Sequence, residues 1–147
     1  MSRMQWPVMP EAALPTHMEM TTPAGALLGR RLLGVDAGTG EVRMGFTARD
    51  EFTNRHGTVH GGFLSAMLDS AAANAVHASL GPGMQALTMR LDTSFHRPAP
   101  LGEFHSAARV VERDERSVLV AADLFAADGT RVASAQVRFR VRPAPAK

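Results

Sequence analysis

The pattern of apolar and polar residues changes its period in the middle of the chain, where one long helix is predicted. Apolar residues recur at helical spacings of three or four within residues 61–80: Leu64, Leu68, Ala72 and Ala75. Residues 81–83, Gly-Pro-Gly, are typical of a helix end. Many of the remaining helix residues are alanine, so a curved sheet can approach the helix backbone closely. This pattern favours one central helix wrapped by strands over a helix bundle.

Extended segments are predicted on both sides of this helix. Before it, residues 32–35 and 41–48 flank a turn-rich stretch and are predicted to form a hairpin. After it come four longer segments: residues 86–97, 103–113, 117–127 and 131–142. Reversals between them are marked by residues 98–102, residues 114–116 and the pair Asp128-Gly129. Short connections of this kind favour a largely antiparallel sheet of about six strands, and hence an α+β fold.

The two ends of the chain are predicted to differ from this central part. Residues 1–20 are rich in Met and Pro without a clean period, which indicates an irregular N-terminal arm. Thr22 and Pro23 then signal the start of a short helix over residues 24–28. We expect a single domain over residues 21–142 and a C-terminal tail over residues 143–147, with no internal repeat.

Composition narrows the classes of partner. The 147 residues are 45% hydrophobic and 20% charged, as in an ordinary soluble globular domain. The chain has no cysteine, which excludes disulfides, thiolate metal sites and a cysteine nucleophile. Its formal charge of +2 comes without long runs of like charge, and it has one Trp and no Tyr, so nucleic acid is a poor partner. With neither a membrane-length apolar segment nor a secretion signal, we expect a cytoplasmic protein that binds no membrane.

The candidate chemistry lies in residues 54–70, where a glycine-rich turn runs into the helix. Asp69 stands among apolar and small helix residues, and a carboxylate that loses water without a partner is costly to keep. The run His60-Gly61-Gly62 would present unpaired N–H groups at the helix start, where negative charge is favoured. Together they predict an anion-stabilising turn with an acid or base nearby.

Other common sites are not indicated. Among one another, His17, His56, His77, His96 and His105 show no short metal-ligand spacing, and no cysteine is present to complete a site. There is no Gly-x-Ser-x-Gly elbow, so Ser65 and Ser70 are interpreted as ordinary helix residues. We therefore expect neither a metal nor a separate cofactor.

The element order and four sequence features together resemble a known family. These features are Asn54, His60-Gly61-Gly62, Asp69 nine residues after His60, and Phe95-His96-Arg97-Pro98 at the end of the third strand. Over about residues 22–141 the chain resembles the hotdog-fold acyl-CoA thioesterases of the phenylacetate-degradation (PaaI-like) type. The resemblance implies a hotdog fold and a coenzyme A thioester as substrate. It also implies self-association into dimers with a continuous sheet, often paired into tetramers.

The resemblance also implies roles for individual residues. The N–H of Gly61 would stabilise the oxyanion, and Asp69 would act as general base on water or as nucleophile through an anhydride. Asn54 would orient the carbonyl or the water, while His60 would fix the turn by hydrogen bonding. The hydroxyl of Thr88 would reach the site from the neighbouring subunit and hold the water or Asp69.

Substrate contacts are predicted at the start of the helix and on the strands. Apolar lining is expected near the helix start and at the third strand, from Gly62, Phe63, Leu64, Met67 and Met84. Arg97 is the candidate for coenzyme A phosphates, with Arg90, Arg138 and Arg140 as further candidates. The sequence thus predicts a thioesterase for an aryl- or medium-chain acyl-CoA. A non-catalytic acyl-CoA-binding protein and a hotdog dehydratase or hydratase are the alternatives.

Overall fold

The computed structural model describes residues 22–146 and contains two α-helices and six strands over that range. The irregular arm predicted for residues 1–20 lies outside the described residues. In chain order the elements are α1 (Pro23–Leu27), β1 (Arg31–Val35), β2 (Val42–Ala48), α2 (Gly61–Ser79), β3 (Met84–Phe95), β4 (Gly102–Arg113), β5 (Ser117–Ala126) and β6 (Arg131–Pro143). A single 3-10 turn, Asp50–Phe52, was not predicted. The predicted elements otherwise agree with the structure to within about two residues at most ends.

The six strands form one antiparallel sheet in the order β1-β2-β4-β5-β6-β3. β3 therefore lies at an edge beside β6, and its other side has no strand partner within the described residues. The sequence indicates a reversal at residues 98–102, but the strands on either side of it are not neighbours. That segment carries the chain from the edge to β4, between β2 and β5. Turn residues show where a chain bends, and they do not identify the strand that pairs next.

The helix α2 packs into the concave side of this sheet. Along β5, buried Val118, Val120, Ala122 and Leu124 alternate with half-buried residues, as the sequence predicts. Ala71 and Ala72 of α2 are fully buried, so small side chains bring the helix backbone close to the strands. The α+β architecture of a long helix wrapped by a six-stranded antiparallel sheet is confirmed. Within residues 22–146, no helix is both long and apolar enough to cross a bilayer.

His105 makes the stability of this fold depend on pH. Its ring stacks on Phe125 of the neighbouring strand, with ring centroids 5.1 Å apart. Burial lowers the pKa of His105 below its ordinary value near 6.5. The unfolded chain then binds more protons than the folded chain just below about pH 6.5. The contribution of His105 to stability is thus constant above that pH, and it falls as the pH drops through this window.

We expect the melting temperature to fall between about pH 6.5 and pH 5 because of this histidine. His105→Phe keeps a ring beside Phe125 and removes the titration, so its melting temperature should change less over the same range. His56→Gln, in an exposed loop, serves as the matched control. Calorimetric melts at several pH values measure the effect, and equal pH slopes for the wild type and His105→Phe would contradict the assignment.

Candidate functional site

The loop before α2 is organised by the side chain of Asn54. Its Oδ1 accepts hydrogen bonds from the N–H of His56 at 2.9 Å and from the N–H of Thr58 at 3.2 Å. Its Nδ2 donates to Thr58 Oγ1 at 2.9 Å, which uses one of two amide hydrogens. Asn54 is therefore a turn-forming residue. Its second amide hydrogen has no partner within residues 22–146. Asn54 also lines the cavity described below.

The helix start is fixed by His60, the N-cap of α2. His60 Nδ1 accepts a hydrogen bond from the N–H of Gly62 at 3.0 Å, so the ring caps the first turn of the helix. The proton of the neutral ring is then on Nε2. The N–H of Gly61, the first residue of the helix, has no hydrogen-bond partner among the described residues. A free donor at a helix start is suited to an anionic oxygen.

Gly61 and Asn54 line one open cavity of about 380 Å³. The apolar wall of the cavity is formed by Val59, Leu64 and Phe95. Its rim is polar and partly basic, and is formed by His56, His96 and Arg97. The His96 ring is held by Ser134, with Nε2 and Oγ 2.8 Å apart. The cavity thus offers an apolar wall, a free N–H and groups suited to anions.

Asp69 lies two turns further along α2 and points toward the edge strand. Its Oδ1 accepts a hydrogen bond from Thr88 Oγ1 at 2.8 Å. In this single chain the carboxylate is only partly buried, so the expected loss of water on helix packing does not occur within one chain. The Thr88 contact is made within the chain, whereas the resemblance implies a hydroxyl from the neighbouring subunit.

One side of α2 runs along the edge strand β3 in three successive contacts. Gly61 lies against Phe95, Ser65 Oγ donates to Thr93 Oγ1 at 3.4 Å, and Asp69 meets Thr88. A bulge between Thr88 and Arg90 interrupts the pairing of β3 with β6. Asp69 lies eight positions after Gly61 in the helix, which is roughly 12 Å along the axis. The two residues of one chain therefore do not converge on the same carbonyl.

The other predicted contact residues lie in several environments. Phe63 stacks on Phe52 with centroids 4.1 Å apart, and Met67 is fully buried in the core. Gly62 is exposed beside the His60 ring, and Met84 packs at the edge of the core. None of these four lines the cavity. Met67 in particular serves as core in this chain, because a fully buried side chain offers no surface to a ligand.

Only one of the candidate arginines reaches the cavity. Arg97 lies on its rim, whereas Arg90 pairs with Asp92 at 2.9 Å and Arg138 with Glu112 at 3.8 Å. Arg140 lies exposed on β6, away from the cavity lining. Arg97 is thus the best placed of the four for an anionic group.

Sequence reasoning did not single out Phe95 and His96 as individual site residues, although it used both in the family pattern. Val59 and Ala99 were missed as well, and all four line the cavity. The signal for Phe95 was a large aromatic residue at the end of a strand. Among residues 22–146, no group of three His, Asp or Glu side chains is arranged to hold a metal ion.

Comparisons with known proteins place this geometry in context. The family model described as thioesterase superfamily matches residues 56–133. A curated protein of Halobacterium salinarum, provisionally named an esterase, is 34% identical over 72% of this chain and 77% of its own length. The region matched by the family model includes most of the cavity lining, α2 and strands β3 to β5.

Two solved structures share the fold over most of their length. One is a phenylacetic acid degradation-related protein of Ralstonia eutropha, provisionally named a thioesterase. It is 35% identical, with a TM-score of 0.78 over 84% of this chain and 94% of its own. The other is the PaaI protein of the Escherichia coli phenylacetic acid degradation operon, with 20% identity and a TM-score of 0.77 over 87% of this chain and 90% of its own. The second likeness concerns the fold alone.

Proposed function

Since this chain belongs to the thioesterase superfamily of thioester hydrolases, we propose that it hydrolyses an aryl- or medium-chain acyl-CoA to the free acid and coenzyme A. The family expected from the sequence is thereby confirmed, and the acyl-CoA substrate is the proposal. The observation that carries it is the free N–H of Gly61 in a cavity with an apolar wall and a basic rim. An acyl-CoA has the matching parts, namely an apolar acyl group, a polarisable carbonyl and phosphates.

Gly61 supplies the electrostatic part of the proposed mechanism. When water attacks the thioester, negative charge develops on the carbonyl oxygen, and the N–H at the start of α2 stabilises it. His60 keeps this donor in place by capping the next residue, Gly62. The second amide hydrogen of Asn54 is available to orient the carbonyl or the attacking water.

Asp69 supplies the base or the nucleophile. As a base, its carboxylate takes a proton from water while the oxygen of that water attacks the carbonyl carbon, and the thiolate then leaves and is protonated. As a nucleophile, its carboxylate attacks the carbonyl carbon and expels the coenzyme A thiolate, which is protonated; water then hydrolyses the resulting anhydride to the free acid and the Asp69 carboxylate. The Thr88 hydroxyl holds one carboxylate oxygen at 2.8 Å, so the other oxygen is presented for the reaction.

The two parts act together when two chains associate. Within one chain Gly61 and Asp69 are roughly 12 Å apart along the helix, so the proposed site joins Gly61 of one protomer to Asp69 of its partner. The unpaired edge of β3 carries exposed Leu87 and Met89 and is the surface suited to such pairing. Antiparallel pairing of two β3 strands about a two-fold axis extends the sheet across the dimer.

The proposed function is tested by incubating the protein with aryl- and fatty-acyl-CoA thioesters and measuring the release of free thiol. We expect release well above the uncatalysed rate for at least one of these classes. Binding of acyl-CoA without release would instead favour the non-catalytic binding protein. Addition of water to an enoyl-CoA, without thiol release, would favour a hydratase.

The pairing of β3 predicts a specific cross-link. Thr88 contacts Asp69 and Phe95 contacts Gly61, so the dimer axis should pass midway between them on the strand, near Leu91 and Asp92. Because the chain has no cysteine, a single cysteine at whichever of these two positions faces its own copy across the axis should give a covalent dimer on oxidation. Asp123→Cys, on the inner strand β5, is the matched control. A monomer in solution, or equal cross-linking of all three variants, would contradict the pairing.

A further inference from the structure

We propose that Phe95 is a specificity-determining residue that sets the width of acyl group accepted next to the thioester carbonyl. The inference rests on the proposed function, and it adds a role for a side chain that the mechanism does not use. It follows from where the ring lies, how exposed it is and how the cavity is divided.

The Phe95 ring lies against Gly61, the residue that supplies the proposed oxyanion donor. Phe95 is the last residue of β3 and is paired with buried Ala133 of β6, so its side chain points to the helix side of the sheet. A Cβ atom added to Gly61 would lie 3.2 Å from Phe95 Cζ and 3.3 Å from Cε1. A carbonyl oxygen that reaches the Gly61 N–H must therefore pass beside this ring.

The exposure of Phe95 differs from that of the other phenylalanines. The chain has seven, and Phe95 is the exposed one, with 54% of its surface accessible. Its ring lines a concave cavity, where an exposed apolar wall beside a few polar groups is typical of a ligand site. An apolar substrate group would cover both the ring and the neighbouring backbone.

The cavity divides its contacts between the two ends of an acyl-CoA. Val59 and Leu64 line the cavity beside Phe95 and continue its apolar wall. His56, His96 and Arg97 lie on the polar rim, which suits the phosphate-bearing end. The ring thus touches the first carbons of the acyl group, and its fixed flat shape excludes groups that are branched there.

The test compares two acyl-CoA substrates with equal carbon number, one straight and one branched at the carbon next to the carbonyl. We expect Phe95→Ala to shift the ratio of kcat/KM toward the branched substrate by about tenfold or more, with Phe95→Leu intermediate. Leu27→Ala removes another exposed apolar side chain, on α1 and outside the cavity lining, and should leave the ratio unchanged. A ratio in Phe95→Ala within twofold of wild type would overturn the proposal.

A binding measurement separates this proposal from the proposed function. Non-hydrolysable thioether analogues of the same two substrates are titrated calorimetrically against wild type and Phe95→Ala. A shift in the ratio of the two Kd values toward the branched analogue supports the role of Phe95 even if no thioester is hydrolysed. An unchanged ratio, or no binding of either analogue by wild type, overturns it.

Discussion

Asp69→Asn is expected to lower kcat by about 100- to 10,000-fold, the contribution typical of a positioned general base. The substitution keeps the size of the side chain and an oxygen that accepts from Thr88, but it removes the basic carboxylate. Because Asp69 is only partly buried in one chain, the melting temperature should change little. Steady-state thiol release, measured beside a thermal melt, separates lost chemistry from lost folding.

Asp123→Asn is the matched control for this substitution. Asp123 is a carboxylate on the inner strand β5, where it pairs with Arg131 at 3.1 Å, away from the edge proposed to form the dimer. We expect it to keep nearly full activity. If Asp69→Asn retained more than about a tenth of wild-type kcat, the residue would lie outside the range of a catalytic base and the assignment would fail.

Gly61→Pro should lower kcat by about 100- to 1,000-fold, because it removes the proposed oxyanion donor. Proline has no N–H and is well tolerated at the first position of a helix, which is where Gly61 lies. The preceding residue, His60, has φ −59° and ψ 134°, a conformation compatible with a following proline. The fold should therefore survive while the donor is lost.

Gly61→Ala separates the N–H from the space around it. Alanine keeps the donor but places a Cβ against Phe95, the same crowding that proline introduces. We expect Gly61→Ala to keep most of the wild-type kcat. Any loss should come from the displacement of the Phe95 ring by the added Cβ. Equal losses in Gly61→Ala and Gly61→Pro would assign the effect to crowding and contradict the role of the N–H.

Mixing the two inactive variants tests whether the site is shared. A dimer of one Asp69→Asn chain and one Gly61→Pro chain contains one site with both groups intact. Random exchange should restore about a quarter of wild-type activity, since half of the dimers are mixed and each has one working site of two. If activity did not recover after subunit exchange, Gly61 and Asp69 would have to act within the same chain, and the shared site would be contradicted.

Much of this fold could be predicted because its local signals agree. The cap at Thr22, the helix end after Ser79 and the alternation along β5 each depend on neighbouring residues in the chain. Strand order could not be predicted in the same way. β3 pairs with β6, more than thirty residues away, and nothing in the turn at residues 98–102 specifies that choice.

The candidate site was predicted in its parts and not in its arrangement. Gly61, His60 and Asp69 stand close in sequence on one turn and helix, so periodicity places them. The contact between Asp69 and Thr88 depends instead on how β3 runs beside α2, including its bulge. The position of Phe95 beside Gly61 also depends on how β3 runs along α2. It cannot be deduced from the spacing of residues along the chain.

The pairing proposed for the edge of β3 would link catalysis to the amount of protein. If each site takes one group from each of two chains, an isolated chain holds only half of the required chemistry. At concentrations well below the dimer dissociation constant, the number of working sites then falls with the square of the chain concentration. A modest change in expression would in that range produce a larger change in hydrolysis, and dilution alone would turn the enzyme off.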